Sequence, residues 1–162
     1  METLIAVALA LSVAGAENQQ QTRREIVAFI ETVNPSFEHA DRAANQLLYC
    51  QHVAGVDARL LAALVAQERR WKLVPNGPYG AENLCQITHG TALAVFGQRR
   101  AETWELNLLW GAWILKGCLR AEKHDARAAL ARYNRGPRWR ERPEALRYAE
   151  AVLSYRRRMG NE

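Results

Sequence analysis

The sequence predicts an all-α fold in a single globular domain, on three observations. Apolar residues recur at spacings of three and four through most of the chain. Long alternating, strand-like runs are absent. Helix formers such as Ala, Leu, Arg and Glu are abundant, while Gly and Pro number 10 and 5. The 162 residues, 49% of them hydrophobic, suffice for one core, and neither an internal repeat nor a low-complexity run is evident.

The N-terminus, METLIAVALALSVAGAE, is apolar from Leu4 to Val13 except at Ser12, and too short to cross a bilayer comfortably. Ala14-Gly15-Ala16 supplies an A-x-A cleavage site. The segment therefore reads as a secretory signal peptide ending at Ala16, which makes the protein periplasmic or secreted. Its n-region departs from that pattern, with Glu2 and no Lys or Arg. The alternative is an uncleaved apolar helix that contacts a membrane or docks within a larger assembly such as a virion.

Further elements follow in order. Thr22 and Glu25 form a T-x-x-E capping box ahead of Ile26, Phe29, Ile30 and Val33, predicting a short helix over 22–33 that Asn34-Pro35 ends. Ser36 is the expected cap of a second helix carrying Phe37, Ala40, Ala44, Leu47 and Leu48 and ending near Gly55. Asp57 caps a third, which contains LLAALVAQERRW at 60–71. Residues 75–84, PNGPYGAENL, are a loop by composition. Helices are then expected around Gly90–Phe96, over Trp104–Leu119, from Asp125 to Asn134-Arg135-Gly136-Pro137, and from about Pro143 to Arg158.

Charge and cysteines narrow the chemistry. Net charge is +5, which favours an anionic partner: an acidic polymer, a lipid surface or nucleic acid. The nucleic-acid reading rests on charge alone, and none is expected as a partner. Cys50, Cys85 and Cys118 form no C-x-x-C, and His39, His52, His89 and His124 do not join them at zinc spacing, so no metal or cofactor is expected. An oxidising compartment leaves room for one disulfide among three pairings. The simpler reading is three small buried apolar side chains.

Glu68 is the anomaly. Leu61, Leu64 and Val65 mark one helix face, and Glu68 lies on it, four residues beyond Leu64. Burial disfavours the anion there, and so does the negative end of the helix dipole. Both raise the pKa toward that of a general acid able to protonate a leaving group. Beside a loop, that is an arrangement used in glycoside cleavage. The bland alternative is an ion pair with Arg69 or Arg70, or an acid facing water at a fraying helix end.

The chain also contains GAENLCQIT at 80–88, NLLWGAWIL at 107–115, ARYNRGP at 131–137 and YAEAV at 148–152. With the helix ending in QERRW, these resemble in order the motifs of the soluble lytic transglycosylases, relatives of goose-type lysozyme, over about residues 50–158. The resemblance implies a lysozyme-like domain at 50–162, with residues 17–49 as an N-terminal helical extension behind the 1–16 segment. It places Glu68 on the family's single catalytic acid. It places Gly80, Ala81, Cys85 and Gln86 on the loop beside the sugar cleft, with Gln86 a ligand contact, and Tyr133 and Asn134 on the A-Y-N motif whose Tyr lies near the acid. Tyr79 and Trp139, in loops, are stacking candidates, whereas Trp104, Trp110 and Trp113 on a helix are expected in the core. Glu82, at a variable position, reads as solvated.

The activity so implied is cleavage of the β-1,4 bond between N-acetylmuramic acid and N-acetylglucosamine in peptidoglycan, leaving a 1,6-anhydro end. One Glu would act as acid and then base, for local wall opening by a secretion, conjugation or phage machine. The alternatives are a hydrolytic goose-type muramidase, or an inactive wall-binding assembly component. Four positions depart from the family pattern: Arg69 stands for Ser, Asn83 for Gly, Cys85 for Met, and Arg132 precedes Tyr133. The basic end from Arg132 to Arg158 reads as a solvated face attractive to an acidic wall. Protein isolated from its own cell is expected to begin at Glu17 on N-terminal sequencing; a Met1 start would remove the cleavage reading.

Overall fold

The helical periodicity becomes seven α-helices in the structure, a computed structural model that describes residues 2–73 and 83–160, with side chains from residue 14 onward. They are α1 (Glu2–Val33), α2 (Ala40–Ala54), α3 (Ala58–Arg69), α4 (His89–Phe96), α5 (Trp104–Ala121), α6 (Ala126–Arg135) and α7 (Pro143–Arg157), with a 3-10 turn at Trp139–Glu141. The described residues contain no β-strand, and the all-α expectation holds. No helix among them is long and apolar enough to cross a membrane.

The core is organised around α3. Ala58 and every residue from Leu60 to Ala66 are buried, so this helix is covered on all faces rather than along one stripe. It packs against α7, α2, α1 and α5. Ala62, Ala63 and Ala66 of α3 are buried, as are Ala145 and Ala149 of α7 and Ala128, Ala129 and Ala131 of α6. Small side chains let these backbones approach closely, and Leu61, Leu64, Leu115 and Leu130 fill the remaining volume. All three cysteines are free and buried, as the simpler reading held.

Several helix ends fall where the sequence placed them. Gly55 closes α2 at φ +70°, a left-handed conformation that suits glycine. Asp57 caps α3, accepting from the Arg59 and Leu60 N–H groups at 2.7 and 3.2 Å. Asp125 caps α6 through the Ala128 N–H at 3.0 Å.

Two expectations need correction. The T-x-x-E box does not start a helix. Nothing between Ala14 and Thr22 breaks the backbone, so α1 runs through it, and the Thr22 hydroxyl donates back to the Asn18 carbonyl at 3.0 Å. Glu25 is freed to pair with Arg59 of α3. Ser36 does not cap α2 either: its hydroxyl donates to Asn34 Oδ1 at 2.8 Å within the turn, and α2 begins at Ala40 behind His39. The ring of Phe37, buried against Trp71 and Trp104, holds this turn inward. The position between residues 49 and 50 lies inside α2.

Asp57 also pairs with Arg156 of α7 at 2.5 Å. Burial pushes its pKa up, but the Arg156 guanidinium and the two N–H donors outweigh that and leave it below the ordinary carboxylate value. A lowered pKa means its stabilisation is present above about pH 4 and lost as pH falls through the folded value. Asp57→Ala is therefore expected to lower stability at neutral pH by ~1–2 kcal/mol, measured by urea denaturation, with the difference from wild type narrowing below pH ~4.

Candidate active site

A sharp corner ends α3. Arg70 and Trp71 both adopt left-handed backbone, at φ +49° and +57°. For L residues this costs about 1–2 kcal/mol each, and a bulky aromatic rarely accepts it. Trp71 is wholly buried, against Phe37, and its carbonyl accepts from the Asn34 side chain at 2.9 Å. Removing an indole from water is worth roughly 5 kcal/mol, but among the described residues the Trp71 ring N–H is buried without a hydrogen-bond partner, at a cost of about 1–3 kcal/mol, so its burial roughly balances the strain. The corner stops the helix one residue after Arg69 and leaves Glu68 in its last turn.

Glu68 faces a cleft of about 660 Å³, walled by the end of α3 (Glu68, Arg69), the approach to α4 (Gln86, Ile87, Thr88, Thr91), α5 (Ile114, Cys118) and the end of α6 (Arg132, Tyr133, Asn134, Gly136, Pro137). That volume suits a small ligand or a stretch of polymer. Among these residues Glu68 is the one acid, and no His, Asp or Lys is present. Burial raises the Glu68 pKa from 4.5 to about 7; the Tyr148 hydroxyl, donating to Oε1 at 2.5 Å, and the Arg69 charge work the other way. Near neutral pH the group is thus poised between acid and base.

The groups around it stay protonated. Burial lifts the Tyr148 and Tyr133 phenols well above their ordinary value, so both remain neutral donors. Burial holds the Cys118 thiol at about 11, against the pull of Arg132, so it offers no thiolate nucleophile at neutral pH. Among the described residues, the cleft thus brings one carboxyl suited to proton transfer together with neutral hydrogen-bonding groups and the cations Arg69 and Arg132.

Of the expected site residues, Glu68, Gln86, Tyr133 and Asn134 meet at this cleft. Tyr79, Gly80, Ala81 and Glu82 lie outside the described residues. Asn83 sits at φ +59°, the left-handed conformation for which Asn is the best substitute for glycine. Gln86 also turns left-handed, and its amide donates to the Asn83 carbonyl at 2.6 Å. Cys85, expected at the substrate face, is instead wholly buried. Its peptide N–H donates to Asn107 Oδ1 at 2.8 Å, and its carbonyl accepts from the Tyr133 hydroxyl at 3.0 Å. A Cβ on Gly111 would lie 2.5 Å from the Cys85 sulfur. Asn107 and Gly111, one turn apart on α5, therefore grip the loop between them, one by a hydrogen bond and the other by having no side chain.

The aromatic expectations are partly overturned. Trp139 is buried, its indole N–H donating to Glu122 Oε1 at 3.0 Å, because the 3-10 turn folds it inward; it is not a stacking platform. Trp110 is buried and stacks on Phe96 with ring centres 4.3 Å apart, as a core residue should. Trp104 lies against Phe37 and His39. Trp113 is the exception: 41% exposed, with the Lys116 ammonium 4.4 Å above its ring.

Two residues were missed. Tyr148 is three beyond Ala145 and four before Val152, on the inward face of α7; a phenol placed there needs a polar partner, and that was its signal. Glu122 terminates α5 with its side chain only 5% exposed, and accepts from Trp139, Arg132 and Arg140. The Trp139 indole, with the two guanidinium groups, holds its pKa below the ordinary value despite burial. Nothing in the local sequence distinguishes it from a solvated helix-end acid.

No model of a known protein family matches the chain, and no curated protein matches its sequence. The chemistry of the cleft is therefore read from its geometry. Tyr148→Phe removes the donor that favours ionised Glu68, so the Glu68 titration midpoint is expected to rise further above about 7. Carbon-detected NMR of the labelled carboxyl checks this, and an unchanged midpoint would break the link between the two residues.

Proposed function

We propose that the chain is a glycan-cleaving enzyme, specifically a peptidoglycan lytic transglycosylase. One observation carries the reading: a carboxyl, the one acid among the described lining residues, is buried at a helix end, raised to about 7, and faces an open cleft of about 660 Å³. The order of motifs shared with the soluble transglycosylases supports it, with peptidoglycan strands outside the cytoplasm as the substrate.

In this scheme protonated Glu68 gives its proton to the glycosidic oxygen as the bond to the anomeric carbon breaks. The resulting carboxylate takes the proton of the muramic 6-hydroxyl, whose oxygen closes onto the anomeric carbon. The products are a 1,6-anhydro end and a free 4-hydroxyl on the next sugar, with no water consumed and Glu68 again protonated. Tyr148 steadies the carboxylate between the two steps, and Tyr133 holds the loop wall through the Cys85 carbonyl. A carboxyl near pKa 7 suits both roles, since neither protonation state is far from reach at neutral pH.

Mass spectrometry of digested murein is expected to show anhydro-muropeptides with wild type and at least a ~100-fold loss with Glu68→Gln. Reducing ends would identify a hydrolytic muramidase instead, and sacculus binding without release would identify an inactive wall-binding component. Because the protonated form starts the reaction, wild-type kcat/KM is expected to fall as pH rises through about 7.

A further inference from the structure

The outer face of α4 is apolar where a surface helix is ordinarily polar. Leu93, Ala94 and Val95 follow one another along it, and all three are exposed, Leu93 by 53% and Val95 by 55%. Scattered apolar side chains on a surface need no explanation, but a consecutive exposed run does. The inward side of the helix is already satisfied: Ala92 is buried, and Phe96 stacks on Trp110 of α5.

α5 extends the same face. Thr91 shares the cleft with Ile114 while Phe96 meets Trp110, so the two helices run in opposite directions. Leu93 stands one turn before Phe96, and the exposed Trp113 one turn after Trp110, which brings them level beside the stacked rings. Cations border these apolar residues. Arg99 and Arg100 are exposed just past the end of α4, Lys116 lies over the Trp113 ring, and Arg120 is exposed two turns beyond Trp113. Acids are scarce on these segments: Glu102 is exposed, and Glu105 is paired with Arg42.

Apolar side chains bordered by Lys and Arg, with a Trp among them, make up a surface that rests in the headgroup layer of a bilayer. The Lys116 stem can cover the indole while its ammonium stays with the lipid phosphates. Protein interfaces, by contrast, are depleted in Lys. No described helix is long and apolar enough to cross a membrane, so contact of these helices with lipid is peripheral. We infer that the α4–α5 face docks onto an anionic lipid surface, with Leu93, Val95 and Trp113 entering the headgroup layer and Arg99, Arg100 and Lys116 meeting its phosphates. Thr91 of α4 lines the cleft, so docking holds the cleft within ~10 Å, one helix diameter, of the lipid.

Flotation of the full chain with vesicles tests this, one set of phosphatidylcholine alone and one with about a third phosphatidylglycerol. Wild type is expected to bind the anionic set at least ~10-fold more tightly, with the preference weakening as salt is raised. Arg99→Gln together with Arg100→Gln should lower that binding about 10-fold or more. Leu93→Gln together with Val95→Gln should lower it as far and, because both side chains already face water, leave circular dichroism and melting unchanged. Every form keeps the same N-terminal segment, so binding through that segment would be common to all. Equal binding to both sets, binding that either double variant keeps, or no binding at all overturns the inference. Sedimentation without vesicles tests a second copy as the occupant: self-association that Leu93→Gln with Val95→Gln abolishes would assign the face to a dimer and overturn lipid docking.

Discussion

A carboxyl kept out of water at the end of α3 is the constraint on which the rest of the structure turns. α3 is buried on every face, so its last turn cannot swing into solvent without exposing Ala66 and the apolar run before it. The left-handed pair Arg70 and Trp71 fixes where the helix stops, and the buried indole of Trp71 pins the corner. Holding Glu68 there has a calculable consequence. Its folded pKa of about 7 lies above the ordinary 4.5, so the native state is unpenalised below the lower value and loses stability as pH rises through the upper one. The loss at alkaline pH is roughly 3 kcal/mol, a sizeable fraction of what a domain of this size can spare.

Two neighbours of Glu68 limit that shift without cancelling it. Tyr148, brought by α7, and Arg69, its neighbour on α3, both favour the anion, yet burial prevails and the group ends near neutrality. Tyr133 turns its hydroxyl to the Cys85 carbonyl and so ties the loop wall to α6. On the far side Gly111 lets the Cys85 sulfur approach, and Asn107 takes the Cys85 N–H. One loop residue, itself excluded from the cleft, thus joins α5 and α6 behind the site.

Electrostatics divide along the same lines. Glu122, behind the cleft, is buried with Trp139 and accepts from the half-buried Arg132 and the exposed Arg140, which positions one cation of the cleft. Burying a carboxylate is tolerated there because each oxygen meets charged or N–H donors. Glu68 has a phenol and a single adjacent cation, and so retains its proton to a much higher pH. Two buried acids with opposite pKa shifts in one small fold show that environment, not residue type, sets their roles.

The sequence by itself determined the helical class, most helix boundaries and the oddity of Glu68. Those depend on short-range features: apolar spacing, capping side chains such as Asp57 and Asp125, and the left-handed stop at Gly55. The continuity of α1 was illegible, because a T-x-x-E box looks the same whether or not the chain before it is already helical. Ser36 was misread for a related reason, its hydroxyl being claimed by Asn34 in the turn. Trp139 and Trp113 exchanged their expected places, since which aromatic is covered depends on elements far away in sequence. Only the tertiary structure brought Tyr148 to Glu68 across eighty residues and Glu122 to Trp139. Local pattern reveals which face of a helix turns inward, but the partner that a buried polar group meets there is chosen by the packing of the other helices.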